Sequence, residues 1–120
     1  MAIDTTGIRA KLEEERHRIQ AEIEALSEAD SQSERERAGR AGRGNHMAED
    51  ASETFEHEKS LALLHNLRSI ESQVDRALAK LEKGTYGQCD DCGKPIAAER
   101  LAAIPYAALC IDCKAKRERR

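Results

Sequence analysis

From Ile8 onward, apolar side chains return at steps of four, seven, four and three, as Ile8, Leu12, Ile19, Ile23 and Leu26, with mostly charged or polar residues between them. Leu12, Ile19 and Leu26 are seven apart, the repeat of a coiled-coil seam. Asp4, Thr5 and Thr6 supply N-cap side chains just before it. This predicts a helix over about 4–30. A second series, Leu63, Leu67, Ile70, Val74, Ala77 and Leu81, alternates steps of four and three, and Leu64 and Leu78 widen its stripe. It predicts a helix over 48–83, with Gly84 as the C′ residue that ends it. At 1.5 Å per residue the two helices are about 40 and 50 Å long.

Neither helix can bury its seam alone. The segment 31–47 contains Gly39, Gly42 and Gly44 and loses the periodicity, so it reads as a reversal. The expected fold is mostly α: a long antiparallel coiled-coil hairpin spanning residues 1–83 with its tip loop at 31–47. A small cysteine-rich unit over 84–120 follows. A dimeric bundle of the same helices is the alternative, and a monomeric hairpin is preferred. In the cysteine-rich unit, 100–105 reads as a short turn or strand, and 114–120 continues as a short C-terminal helix.

Composition supports this picture. Phe55, Tyr86 and Tyr106 are the only aromatic residues and 36% of the chain is charged, which disfavours a thick globular core. No stretch has the length of a membrane span or the form of a signal peptide, so a cytoplasmic protein is expected. The net charge of −3 is unevenly spread. Both predicted helices carry more acids than bases. Arg35, Arg37, Arg40 and Arg43 make the reversal basic, and Lys114, Lys116, Arg117, Arg119 and Arg120 do the same for the tail. His17, His57 and His65 lie among charged helical residues and read as solvent-facing.

The strongest chemical signal is the pattern Cys89-x-x-Cys92, then seventeen residues, then Cys110-x-x-Cys113. Two C-x-x-C pairs so spaced match a tetrathiolate zinc site, each pair presenting two sulfurs to one metal. Gly93 follows the first pair, where the lack of a Cβ lets backbone N–H groups turn towards the thiolates. Two disulfides are the competing reading of the same cysteines. Four protein ligands leave no open position for water, so the zinc is structural. No nucleophile–base set or phosphate loop accompanies it, and no enzyme is expected.

Around these cysteines the sequence reads Gly84-x-Tyr86-Gly87-x-Cys89-x-x-Cys92-Gly93-x-x-Ile96-x-x-x-Arg100-Leu101, then Pro105, then Cys110-x-x-Cys113. This string resembles the zinc finger of the DksA/TraR family, and the likeness extends upstream through 51–59. The resemblance implies a bacterial transcription regulator that binds RNA polymerase core rather than DNA. It implies a coiled-coil hairpin entering the enzyme's secondary channel, formed by the largest subunits, with the zinc finger on the channel rim. A DksA-like tip carries an Asp, a second Asp three residues later and an Ala two further on. Aligned without gaps from Cys89, these positions hold His46, Glu49 and Ala51; only the Ala matches, and Glu replaces one Asp. Glu49, Asp50 and Ala51 are therefore the candidate tip residues for polymerase.

Some members of the family bind the alarmone ppGpp with basic residues near the junction of hairpin and finger. Lys80, Lys83, Lys114, Lys116 and Arg117 leave such binding open here. Two other classes compete with the polymerase reading. A DNA-binding zinc finger shares the cysteine spacing, but the loop 90–109 sets Asp90, Asp91 and Glu99 against Lys94 and Arg100, too few bases to meet phosphates. Sequence-specific DNA binding is therefore not expected. A coiled-coil adaptor with a structural zinc is the remaining alternative.

Overall fold

The computed structural model describes residues 5–40 and 47–119, apart from the side chains of residues 33, 37, 40 and 47–53. Four helices follow one another: α1 (Thr5–Arg40), α2 (Met47–Lys83), α3 (Ala98–Ala103) and α4 (Ile111–Glu118). The described residues form no strand; a single bridge pairs Gln88 with Pro95.

Helix α1 runs ten residues beyond the end expected at residue 30. Loss of apolar periodicity there marks loss of burial, not loss of helix. Ser31 to Arg40 is rich in Glu, Gln, Arg and Ala, good helix formers on their own account. Gly39 costs about 1 kcal/mol in a helix interior, but it stands at the second-last position, where the cost is small. Of the basic reversal, Arg35, Arg37 and Arg40 thus belong to α1, while residues 41–46, with Arg43 and His46, lie outside the described part. Asp4, an expected cap, also lies outside it.

Helix α2 stops at the expected place. Gly84 has a φ of +75°, which a side chain would oppose. Its N–H donates to the Leu81 carbonyl at 3.3 Å, and the Thr85 N–H to the Lys80 carbonyl at 2.9 Å. Those two bonds make a Schellman cap and satisfy carbonyls that the helix leaves without partners.

The residues group into two compact units, Met1–Arg18 with Ile70–Arg120, and Ile19–Ser69. The cysteine-rich segment therefore shares its unit with the start of α1 and the end of α2. In this first unit the two helices lie antiparallel. Arg9 Nη1 meets Glu82 Oε1 at 2.8 Å, and Arg16 Nε meets Asp75 Oδ1 at 3.2 Å. These exposed pairs contribute about 0–1 kcal/mol each. Leu12 and Val74 are fully buried, and each side chain gains roughly 1.5–3 kcal/mol from burial, so apolar packing rather than ion pairing holds the helices together. Ala77, Leu81, Tyr86, Ile96 and Ala107 are also buried in this unit.

Among the described residues of the second unit, Ile19, Leu64 and Leu67 are buried. Leu63, read as a seam residue, is 47% exposed, and Leu64 takes its place. Leu64 is three residues before Leu67, so both choices fit a helical stripe, and only packing selects between them. His57 also departs from the sequence reading. It is partly buried, with Nδ1 2.7 Å from Asp30 Oδ1.

Candidate metal centre

Two knuckles and a helix start bring the cysteines together. In the first knuckle, the Gly93 N–H donates to the Cys89 carbonyl at 2.9 Å and the Cys89 N–H to the Lys94 carbonyl at 2.9 Å. Gly93 sits at φ +72°, so its missing Cβ serves the reversal of the chain. Its own N–H goes to a carbonyl, and the backbone donors to the Cys89 sulfur come from Cys110, Cys92 and Asp91 instead. The second pair straddles the start of α4: Cys110 is its N-cap residue and Cys113 lies in its first turn, with the Lys114 N–H bonded to the Cys110 carbonyl at 3.0 Å.

Between the pairs, residues 98–103 form α3 where a turn or strand starting at 100 was expected. Ala-Glu-Arg-Leu-Ala-Ala is a strong helix-forming run, and Pro105 lies just beyond its end. The Arg100 Nε donates to the Leu109 carbonyl at 3.0 Å, and Tyr86 Oη to the Pro105 carbonyl at 2.8 Å. Both bonds fix the path of the chain between the knuckles.

The four Sγ atoms of Cys89, Cys92, Cys110 and Cys113 all lie within 4.8 Å of one another. Cys92 and Cys110 Sγ are 3.8 Å apart. A tetrahedral zinc with Zn–S of about 2.3 Å requires sulfurs about 3.8 Å apart. A disulfide requires about 2.05 Å. All four cysteines are free thiols, so the paired-disulfide reading falls away. Cys89 and Cys113 are buried with Ile96, and Leu101 and Leu109 pack against them.

The ionisation of the thiols fits a cation site. Burial pushes the Cys89 thiol up, but the backbone donors of Cys110, Cys92 and Asp91, with the Cys113 thiol, outweigh it and bring it down to about 6. Cys113 is pushed up to about 12 by its hydrogen bond to Cys110, with burial next and the other two sulfurs adding to it. Four thiols this close cannot all ionise without a cation between them. Zinc held by Cys89, Cys92, Cys110 and Cys113 would supply that charge and link the two knuckles, in place of the core that so small a unit lacks.

Two carboxylates outside the cysteine set anchor the first knuckle. Asp90 accepts from Arg76 Nη2 at 2.6 Å and from Lys80 Nζ at 2.9 Å, both on α2. Asp91 accepts from Arg117 of α4 through Nε at 2.9 Å and Nη2 at 2.5 Å. Along the sequence these two acids are distinguished only as charge in the zinc loop, and nothing local signals their partners. Of the candidate tip residues, Glu49, Asp50 and Ala51 lie in the backbone of α2, and their side chains fall outside the described part.

A closed tetrathiolate centre beside the ends of two long helices defines a helical zinc-finger protein. Residues 84–119 match the model of the prokaryotic dksA/traR C4-type zinc finger. The fold resembles the solved structure of transcription factor DksA2 from Pseudomonas aeruginosa, with a TM-score of 0.75 and 30% identity, over 96% of this chain and 83% of that one. This chain belongs to the DksA/TraR family, and its cofactor is one structural zinc.

Among curated relatives, it is 35% identical over 74 residues to the RNA polymerase-binding transcription factor DksA of Caulobacter vibrioides, covering 62% of this chain and 52% of the relative. It is 43% identical over 63 residues to the protein of that name from Haemophilus influenzae, covering 51% and 43%. The chain thus spans about half the length of the curated relatives it matches. These DksA relatives are transcription factors, not enzymes. Among the described residues no helix is long and apolar enough to cross a membrane.

Proposed function

We propose that this protein regulates transcription by binding bacterial RNA polymerase core, with α1 and α2 inserted as a hairpin into the secondary channel between the largest subunits. Glu49, Asp50 and Ala51 approach the catalytic region, and Cys89, Cys92, Cys110 and Cys113 hold the zinc that braces the base of the hairpin. The observation that carries this reading is the likeness to DksA2 over 96% of the chain, which extends well beyond the zinc finger. The curated relatives, RNA polymerase-binding transcription factors, supply polymerase as the partner. An acidic helical pair suits electrostatic steering into a narrow, basic, magnesium-containing channel. Residues 1–83 then serve as the inserted part and 84–120 as the part that rests on the rim, in a monomer.

One observation weighs against a DNA-binding finger. Arg76, Lys80 and Arg117 are paired with Asp90 and Asp91 beside the first knuckle. A phosphate-docking finger needs such cations turned outward.

The test places a photo-crosslinkable residue at Asp50 of the zinc-loaded protein and mixes it with polymerase core enzyme, with and without ppGpp. An adduct to the largest subunit near the catalytic centre is the expected result. Binding with adducts elsewhere would move the contact from the tip to the finger. Absence of binding would overturn the polymerase reading, and light scattering would then show whether the chain is a dimeric adaptor.

A further inference from the structure

Away from the zinc finger, the second unit holds another set of metal-ligating side chains. Asp30 and Glu34 stand four residues apart on one face of α1, and His57 reaches them from α2. One ligand atom from each lies within 4.8 Å of the other two. His57 Nδ1 is 2.7 Å from Asp30 Oδ1, and the two side chains are only 26% and 17% exposed.

Their place in the fold makes the juxtaposition informative. Among the described residues, none from 20 to 40 or from 54 to 63 is buried. No apolar core accounts for a half-buried imidazole there. Carboxylates alone would be ordinary surface acids; the nitrogen donor from the facing helix turns them into a mixed ligand set.

We propose that Asp30, Glu34 and His57 form a second divalent-cation site that clips α1 to α2. One imidazole and two carboxylates suit zinc and its first-row neighbours, and offer no sulfur to a soft ion such as Cu(I). Three protein ligands leave room for water on the metal, unlike the four-thiolate centre. The site is therefore weaker and exchangeable. Helices that share no fully buried side chain in this stretch gain order when the cation binds, because it contacts both at once.

The test uses the full chain with its cysteine centre already loaded. Titration calorimetry with Zn²⁺ is expected to show a second, weaker equivalent. His57→Ala should abolish it, and Glu34→Gln should weaken it by at least roughly tenfold, while both variants keep the first equivalent. Glu34 is exposed, so its replacement leaves the fold intact even if His57→Ala disturbs the helices. Co²⁺ provides an independent readout, since at this site it brings no further thiolate-to-metal absorption. The inference is overturned if no Zn²⁺ binds beyond the equivalent already held by the cysteine centre. It is equally overturned if the second equivalent persists in both variants, or if it adds thiolate absorption and so belongs to the cysteines.

Discussion

Lys80 and Asp90 are joined across the end of α2: Lys80 Nζ donates to Asp90 Oδ1 at 2.9 Å and, with the same ammonium, to the Gln88 carbonyl at 2.6 Å. Arg76 meets the second carboxylate oxygen. Lys80 is only 18% exposed, whereas Arg76 is 64% exposed. The cation nearer the interior therefore carries most of the tie.

Replacing Lys80 by Ala leaves Asp90 and the Gln88 carbonyl short of a donor, and should cost about 1–2 kcal/mol. Arg76→Ala should cost no more than about 0.5 kcal/mol, as exposed pairs do. Urea unfolding of the zinc-loaded variants checks the order. Equal losses would mean that the two cations share the tie.

Burial decides the packing of α1 on α2 in the first unit. Leu12→Ala should destabilise by about 2–5 kcal/mol, since Leu12 is fully buried. Arg9→Ala, which removes only an exposed ion pair, should lie within about 1 kcal/mol of the parent. Thermal unfolding separates the two at once.

Zinc removal should unfold the finger before the long helices. Chelation, or Cys89→Ser, takes away the charge that allows the crowded thiols to ionise together. Circular dichroism is expected to lose the contribution of α3 and α4, while hydrogen exchange in the buried parts of α1 and α2 stays slow. Collapse of all helical signal on chelation would show that the zinc unit supports α1 and α2 as well.

Tyr86 supplies a pH dependence. Its phenol is raised above 10 by burial, and its Oη donates to the Pro105 carbonyl. An acid whose folded pKa lies above its unfolded one binds more protons in the folded state. Its contribution is fully present below pH 10 and is lost as pH rises through the folded value. Stability should fall on the alkaline side, and Tyr86→Phe should remove that fall while costing about 1 kcal/mol at neutral pH. Phenolate absorbance followed alongside unfolding gives both results.

Phe55 is 64% exposed and stands one turn of α2 beyond Ala51. Phe55→Ala should change stability by no more than about 0.5 kcal/mol. Under the channel reading it should weaken polymerase core binding by roughly tenfold, as loss of an aromatic anchor does. Unchanged affinity in a pull-down titration would place Phe55 outside the contact.

Much of the architecture was legible because its signals are local. Leu12 and Ile19 are buried as their heptad spacing required, Gly84 ends α2 with a positive φ, and the cysteine spacing matches a cluster of four sulfurs. Burial and helix formation are separate quantities, and the structure differs from the apolar pattern where they part. The end of α1 was placed where apolar residues stop, yet helix formation continues on backbone propensity to Arg40. Leu63 and Leu64 both suit the stripe, and packing buries Leu64 while leaving Leu63 exposed.

By itself, the sequence determined the helical class, the cysteine set that clusters and the family likeness, because each rests on residues close together along the chain or on a repeat. Only the tertiary structure decided that Asp90 and Asp91 are held by Arg76, Lys80 and Arg117, and that His57 turns to Asp30. Those pairs join residues 10 to 27 positions apart. Side chains so distant in sequence meet only when packed apolar faces have set the rotation of each helix. That rotation is a property of the whole arrangement, and no single stretch of sequence carries it.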